Sequence, residues 1–538
     1  MPILKRSPFR TPFRPLIQSL VLATALGLAL TAPPTQAQVN LPSLGDSVSQ
    51  DLDVVAERKF GDEIMQEVWA DPAYIDDPLL QEYLQGIFRR LVAASRKLGN
   101  ITDETVDHFA WEPFLVLDKT INAFALPGGF VGVHLGLISM TGSDDELASV
   151  LGHELSHVTQ RHIARRIVGD SRNGLLATAG LIAAILAAAR GAPDAAQAAI
   201  MTSQAAAQAA SLAFSRDMER EADRVGFQVM TAAGFSPSGM SSMFEHMEQA
   251  YALSDSGDYP YLRSHPLTSE RIADARARIG AAPFARPAGS PEHALMAARA
   301  RVLMDPRSEA WRALQDLDKG TRDRSGDAPQ LDQLAARYAS ALASIKLRDF
   351  DRCGRAIDAA QALLAQLPPG LDQGGRAERD LVYLRAELER ARGNGARGLA
   401  ALDALGKDTS RPILLERAEL ALVDPDPARA REAAENLQTF VSLNSHDILA
   451  WSELAQLWSH LGHTLRSVRA QAEARFAAGD LNGAIDRMRS GLRMSSARDA
   501  DQYEAAIIDA RLRTLTYERR RLLKERYPNG VPNGAEPP

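Results

Sequence analysis

The sequence predicts an α+β domain, mostly helical with a small sheet, followed by an all-α solenoid of helical repeats. Three observations lead to this prediction. Residues 147–158 carry apolar side chains at helical spacing around a pair of histidines. Short apolar runs within residues 114–134 flank a Pro-Gly-Gly turn, as the strands of a hairpin do. Beyond residue 286 the chain repeats a pattern of helix, short turn and helix.

The first 37 residues have the features of a secretory signal peptide. A basic, acid-free start precedes an apolar stretch at residues 16–30, and Thr35 and Ala37 supply the small residues of a cleavage site. An uncleaved anchor is the alternative, whereas a lipoprotein anchor is excluded because no cysteine closely follows the apolar stretch. We therefore expect the mature chain to act in a bacterial periplasm.

The composition argues against nucleic-acid binding and rules out an intramolecular disulfide. The 538 residues carry a formal net charge of −7, which argues against binding to nucleic acid through bulk electrostatics. Cys353 is the single cysteine, so no intramolecular disulfide can form and packing must stabilise the fold. We expect Cys353 to be a small core residue rather than a nucleophile.

The chemistry of the chain centres on the motif H-E-x-x-H, formed by His153, Glu154 and His157. Ser143 and Glu146 form a capping box that predicts the start of a helix before the motif. Positions i and i+4 of a helix share a face, so the two imidazoles can bind one Zn²⁺ per chain. Glu154 can then take a proton from a water that the metal activates. The motif predicts metal-assisted hydrolysis of a peptide bond.

The segment before the motif predicts a small sheet. Residues 114–117 and 130–134 are predicted strands, and residues 122–129 between them are predicted as a tight turn. An exposed edge strand beside the metal could pair with an extended substrate. A purely structural hairpin is an equal alternative.

An apolar, alanine-rich region follows the motif helix. Residues 175–189 carry no charge but are too few for a membrane span. For residues 175–213 we predict a pair of packed helices that cover the site. The alternative is a mobile lid or a peripheral contact with the membrane surface.

A second, acidic helix is predicted to complete the metal site. Glu219 and Asp223 share a helix face at positions i and i+4, while Glu221 points elsewhere. Catalytic zinc sites keep three protein ligands, and Glu219 suits the third because the motif supplies two. Asp223, one turn on, suits a residue that orients a ligand imidazole. A solvated helix face is the alternative interpretation.

Three other histidines are further candidates. His265 precedes Pro266, which is predicted to open a helix, and it could serve as a fourth ligand or as a donor to the transition state. A structural histidine at a helix start is the alternative. His134 and His162 are weaker candidates, because isolated histidines are more often structural or exposed.

A cluster of Pro, Gly and Ala at residues 283–291 predicts a domain boundary. The predicted parts are a signal peptide at 1–37, a metallopeptidase domain at 38–285, tetratricopeptide-like repeats at 286–527 and a disordered tail at 528–538. The repeats follow a helix–turn–helix pattern of about 34 residues and would stack into a solenoid with a concave binding face. An unspecific helical bundle is the alternative.

The motifs at residues 122–129, 153–157, 215–223 and 264–272 together resemble the zinc metallopeptidases that include HtpX and the CAAX-prenyl endopeptidase. The resemblance implies a zincin-type (gluzincin) fold for the metallopeptidase domain and endopeptidase activity. It implies His153, His157 and Glu219 as zinc ligands, Glu154 as general base, and Asp223 as the residue that supports catalysis by orienting a ligand.

The resemblance also implies regulation and partners. His265 matches the family's H-P motif and could occupy the open zinc position at rest, as a regulatory fourth ligand. The signal peptide and the repeats narrow the resemblance to periplasmic members that act in outer-membrane protein quality control. That implies unfolded or stalled proteins as substrates and the β-barrel assembly machinery as a partner of the repeats.

Two expectations stay open beside these. The alternative function is a chaperone or adaptor for outer-membrane protein assembly whose protease site is mostly shut. The strong membrane spans of HtpX-like relatives have no counterpart in this sequence beyond the N-terminal stretch and the short apolar run. We therefore expect a soluble enzyme with at most a peripheral membrane contact through residues 175–213.

Overall fold

The computed structural model describes residues 53–169, 215–252, 260–279, 289–319, 330–368, 370–494 and 499–527. The predicted signal peptide, the region 175–213, most of the predicted boundary at 283–291 and the tail at 528–538 lie outside these residues. The expectations that rest on them remain predictions.

The elements up to residue 279 combine helices with one small sheet. The helices are α1 (Val54–Ala70), α2 (Pro78–Lys97), α3 (Asp103–His108), α4 (Leu135–Met140), α5 (Asp144–Thr159), α6 (His162–Gly169), α7 (Arg216–Ala232), α8 (Ser238–Ala252), α9 (Pro260–Ser264) and α10 (Ser269–Ile279). The strands are β1 (Tyr74–Ile75), β2 (Glu112–Val116), β3 (Ala123–Leu126) and β4 (Phe130–His134).

The strands form a sheet in the order β1-β2-β4-β3, with β2 and β4 parallel and the outer pairs antiparallel. The prediction of a tight turn over residues 122–129 is wrong for its first half, because Ala123–Leu126 form a strand that pairs antiparallel with β4. The turn is confined to Pro127–Gly129, where Gly128 and Gly129 have φ angles of 76° and 89°. Strand β3 is thus an edge strand of the described sheet, and it lies against α5.

The motif helix α5 runs through the core. Its predicted start is confirmed, because the Ser143 hydroxyl accepts a hydrogen bond from the Glu146 amide at 3.2 Å. Every residue from Glu146 to Val158 is buried, and the helix packs against α2, α7, α8 and β3. A helix surrounded in this way holds its side chains in fixed positions.

The remaining described elements are helices and one short 3₁₀ turn at Gln373–Gly375. The helices are α11 (Pro291–Leu303), α12 (Ser308–Gln315), α13 (Gln330–Lys346), α14 (Phe350–Leu364), α15 (Arg376–Ala391), α16 (Gly395–Asp403), α17 (Arg411–Val423), α18 (Pro427–Leu443), α19 (Ile448–His460), α20 (Thr464–Ala477), α21 (Leu481–Met494) and α22 (Asp499–Arg526).

Several of these helices form the predicted helix–turn–helix units. The turns between α13 and α14, α15 and α16, α19 and α20, and α20 and α21 each contain one residue with positive φ, namely Arg348, Gly393, Gly462 and Gly479. A left-handed residue ends one helix, and a new helix begins two residues later. The assignment of these units to tetratricopeptide repeats remains a prediction.

One hydrophobic core spans residues before and after position 286. The same cluster of buried side chains includes Leu84 of α2, Leu295 of α11 and Leu384 of α15. Arg299 on α11 is buried in it and joins the two sides, because its guanidinium contacts Asp77 at 2.7 Å and Glu387 at 2.8 Å.

Two further expectations can be compared with the fold. Cys353 is fully buried as predicted, and burial raises the pKa of its thiol to about 12. Among the helices that the structure describes, none combines the length and the apolarity needed to cross a membrane.

Candidate metal centre

The site begins at a close crossing of α5 and α7. Gly152 and Gly226 face each other there, and a Cβ atom on Gly226 would lie 2.9 Å from the His153 backbone nitrogen. Gly226 is seven residues beyond Glu219, so both lie on the same face of α7. The glycine contact therefore lets α7 approach α5 closely enough for Glu219 to reach the motif histidines.

We expect Gly226→Ala to separate these helices and weaken zinc binding by about tenfold or more, because the groups it would meet are backbone atoms that cannot rotate away. Overpacking of this kind typically costs about 1–3 kcal/mol of folding free energy. Zinc competition and urea unfolding would measure the two effects. Gly86→Ala is the matched control, since a Cβ there meets nothing within 4 Å and should slightly stabilise helix α2. Wild-type zinc affinity in Gly226→Ala would contradict the role given to the crossing.

Four predicted site residues converge on one point. His153 Nε2 and His157 Nε2 lie 3.0 Å apart, and each is 3.5 Å from a carboxylate oxygen of Glu219. His265 Nδ1 lies 3.3 Å from His153 Nε2 and 2.9 Å from Glu219 Oε1. One ligand atom from each of the four lies within 4.8 Å of the others, and all four side chains are buried.

The cluster fits Zn²⁺. Two nitrogen ligands of a tetrahedral zinc are expected about 3.3 Å apart, close to the separation of the two Nε2 atoms. Each of these imidazoles uses its Nδ1 in a hydrogen bond elsewhere, so the two Nε2 atoms are left facing each other. Glu219 Oε2 is buried and lies 3.5 Å from His153 Nε2. Two imidazole nitrogens and a carboxylate oxygen are a common ligand set for this metal.

The protonation of the cluster also favours a cation. Burial lowers the pKa of His153, but the carboxylates of Asp223 and Glu219 outweigh burial and raise it to about 10. Burial and the neighbouring His153 and His265 hold the pKa of His157 well below its usual value. Burial raises the pKa of the Glu219 carboxyl, but His265 and His153 outweigh burial and lower it. The carboxylates of Glu219 and Asp223 therefore stabilise a positive charge beside the two histidines, which a metal can supply.

Asp223 and Arg271 hold His153 in place. His153 Nδ1 donates to Asp223 Oδ1 at 2.9 Å, which leaves its Nε2 for a metal. Arg271 makes a two-point contact with Asp223 at 2.7 and 2.8 Å and lies 3.0 Å from Glu219 Oε2. Sequence analysis singled out Asp223 but not the role of Arg271, which is 48 residues away.

Glu154 is fully buried and points into the cluster from its own helix. Its Oε2 accepts a hydrogen bond from the Ala125 amide of β3 at 3.1 Å. Its Oε1 makes no hydrogen bond and lies 3.6 Å from His265 Nε2. Burial raises the pKa of this carboxyl, although His265 and His153 oppose the rise. A carboxyl with a raised pKa is a stronger base in its ionised form.

His265 fills the space between Glu154 and the motif histidines. The prediction that Pro266 opens a helix is wrong, because α10 begins at Ser269. The Thr268 hydroxyl caps this helix by accepting a hydrogen bond from the Arg271 amide. His265 instead directly follows α9, which ends at Ser264, and stacks on the buried ring of Tyr261, with ring centroids 4.7 Å apart.

The two remaining histidine candidates, His134 and His162, do not belong to the four-residue cluster. His134 lies outside the cluster, where its Nδ1 contacts the Thr120 hydroxyl at 2.9 Å. His162 is buried against His157, and Glu221 contacts His162. As expected, Glu221 does not belong to the four-residue cluster. It contacts His162, however, which in turn contacts the motif residue His157. The five-residue spacing from His157 gave no helical reason to expect His162 there.

Comparison with known proteins identifies the family. Residues 78–279 match the model of peptidase family M48. The chain is 30% identical over 521 residues to the beta-barrel assembly-enhancing protease of Escherichia coli (strain K12), covering 96% of this chain and 99% of that protein. The chain belongs to peptidase family M48. It is also 31% identical to the protease of the same name from Yersinia pestis, over 95% and 98% of the two chains.

A more distant relative extends the comparison. The mitochondrial metalloendopeptidase OMA1 of Saccharomyces cerevisiae is 28% identical over 194 residues, which cover 35% of this chain and 53% of that protein. As an M48 peptidase with a buried His-His-Glu-His cluster, the chain is a metalloendopeptidase with a zinc site. This confirms the enzyme class and the cofactor predicted from H-E-x-x-H.

Proposed function

We propose that this M48 peptidase is a periplasmic zinc endopeptidase that hydrolyses peptide bonds of misfolded or stalled outer-membrane proteins. The observation that carries the proposal is the extent of the similarity to proteases named for β-barrel assembly, which covers 96% of this chain and includes its helical second half. The predicted signal peptide supports the compartment.

In this proposal His153, His157 and Glu219 hold the zinc. Bound zinc supplies Lewis acidity, which lowers the pKa of water to about 7 and polarises a peptide carbonyl. Glu154 Oε1 takes the proton from the attacking water and passes it to the leaving amine, for which its raised pKa suits it. Asp223 keeps the Nε2 of His153 directed at the metal through the Nδ1 hydrogen bond.

The helices after residue 286 are proposed as the recruiting surface for substrate or assembly machinery. A groove of about 820 Å³ supports this proposal, with lining residues from α17, α19, α20 and α21. His460, Arg475 and Arg487 line it, and none of its described lining residues carries a carboxylate. The proposed solenoid of tetratricopeptide repeats would place such a groove on its concave face.

The function is tested by zinc content and casein cleavage of the full-length protein, before and after treatment with the chelator phenanthroline. We expect one zinc per chain, cleavage that stops on chelation, and recovery when zinc is returned. Absence of zinc from the purified protein would contradict the proposed ligands. Zinc without cleavage would favour the second candidate, an assembly chaperone with a latent protease site.

The second candidate is favoured by the position of His265. Its side chain contacts Glu219 and lies 3.6 Å from Glu154, so it takes the space that substrate and water need. We propose that His265 shuts the site at rest as a fourth ligand. We expect His265→Ala to raise casein cleavage several-fold while one zinc per chain is kept. Unchanged or lower cleavage with zinc retained would contradict this role.

A further inference from the structure

His157 makes a hydrogen bond that no motif predicts. Its Nδ1 lies 2.8 Å from Nδ1 of His162, and Nε2 of His162 lies 2.9 Å from Glu221 Oε2. Both histidines are completely buried. The three side chains therefore form a line that runs from the proposed metal to the carboxylate on α7.

The direction of each hydrogen bond follows from Glu221. Arg165 donates to the same Glu221 oxygen at 2.9 Å, so this carboxylate is ionised and can only accept. His162 must then donate through Nε2. A neutral imidazole that donates from one nitrogen accepts at the other, so His162 Nδ1 accepts from His157 Nδ1. His157 is left with its lone pair on Nε2, the atom that faces His153.

A break in the backbone makes this line possible. Residues five apart on a continuous helix lie about 140° apart around its axis, so His162 could not contact His157 if α5 simply continued. The helix instead ends at Thr159, and Arg161 adopts a left-handed φ of 52°. Its guanidinium is anchored to the buried Glu57 by contacts of 3.1 and 2.9 Å. The chain is thus turned so that α6 begins with His162 against His157.

We propose that His162 and Glu221 are positioning residues that fix the tautomer of His157 and so strengthen zinc binding. This inference rests on the proposed function, in which His157 is a zinc ligand. The line does for His157 what Asp223 does for His153, so each motif histidine has its own carboxylate at the end of a hydrogen-bond path. Such partners typically contribute about 10–100-fold to metal affinity.

The test is the zinc dissociation constant of the full-length protein, measured by competition with a chelating dye. We expect His162→Phe to weaken zinc binding about 10–100-fold, because phenylalanine fills the space but cannot accept a hydrogen bond. His162→Asn should bind zinc more tightly than His162→Phe, since its side-chain oxygen can accept near the position of Nδ1. His134→Asn is the matched control, a buried histidine outside the cluster, and should bind zinc as the wild type does.

A purely structural role predicts a different result. The melting temperature of each variant is measured in excess chelator, so that stability without zinc is known separately. If His162→Phe and His162→Asn melt lower but bind zinc as tightly as the wild type, the proposal is overturned. If His162→Phe does not fold, Glu221→Ala tests the same line from its less buried end, with weaker zinc binding expected. Wild-type zinc affinity in His157→Ala would instead overturn the proposed ligand set.

Discussion

Replacing Glu154 with glutamine is expected to lower the rate of casein cleavage by about 10²–10⁴-fold, the usual contribution of a general base. The amide has nearly the same shape as the carboxyl but cannot take a proton. Its side-chain oxygen can still accept the hydrogen bond from the Ala125 amide, so the helix and strand should keep their contact. Zinc content should remain at one per chain, because Glu154 is not among the proposed ligands.

The control for this variant is Glu63→Gln, an exposed glutamate on α1. It should leave both cleavage and zinc content unchanged. Cleavage by Glu154→Gln at the wild-type rate would contradict the role of Glu154 as the base. In cells, a Glu154→Gln chain that still supports outer-membrane protein assembly would favour the chaperone over the protease.

Replacing Arg271 with methionine is expected to lower the free energy of unfolding by about 3–5 kcal/mol, the cost of leaving a buried charge without its partner. Arg271 is 5% exposed and contacts both Asp223 and Glu219. The guanidinium holds the pKa of Asp223 at about 2 together with His153, against the effect of burial. Without Arg271 two neighbouring carboxylates would share the buried site, and urea unfolding of the metal-free protein would show the loss.

Arg220→Met on α7 is the control for Arg271. Arg220 pairs with Glu270, but both side chains are largely exposed to water, so its loss should leave the free energy of unfolding close to the wild-type value. Similar unfolding energies for the two variants would contradict the importance of burial at Arg271. A double variant that also replaces Asp223 should recover part of the loss, because it removes a stranded charge.

The part of the site that sequence alone could predict is the part that is local. The spacing of His153 and His157 and the cap at Ser143 depend on one helix, and helix geometry fixes them. Glu219 could be proposed because its side chain shares a face with Asp223 and zinc needs a third ligand. The helix–turn–helix units after residue 286 could be predicted for the same reason, since each is built from residues that are neighbours in the sequence.

The remaining features depend on contacts between distant segments. Arg271 joins Asp223 across 48 residues, and nothing in the sequence between them sets that distance. His162 reaches His157 only because Arg161 breaks the helix, and a left-handed arginine has no sequence pattern that predicts it. Strand β3 could not be predicted, because the Pro-Gly-Gly sequence that follows it favours a turn. Its pairing with β4 depends on how the whole sheet packs.

The buried Arg299 has a consequence for the ancestry of the molecule. The guanidinium of Arg299 contacts Asp77 before the predicted boundary and Glu387 after it. Neither part of the chain could therefore be replaced by an unrelated domain without breaking one of these contacts. A recombination event that joined a foreign helical array near residue 286 would strand one of these charges inside the core. Such a chimaera would lose several kcal/mol until compensating substitutions arose. The two halves are therefore expected to have changed together by descent, rather than being shuffled between unrelated genes.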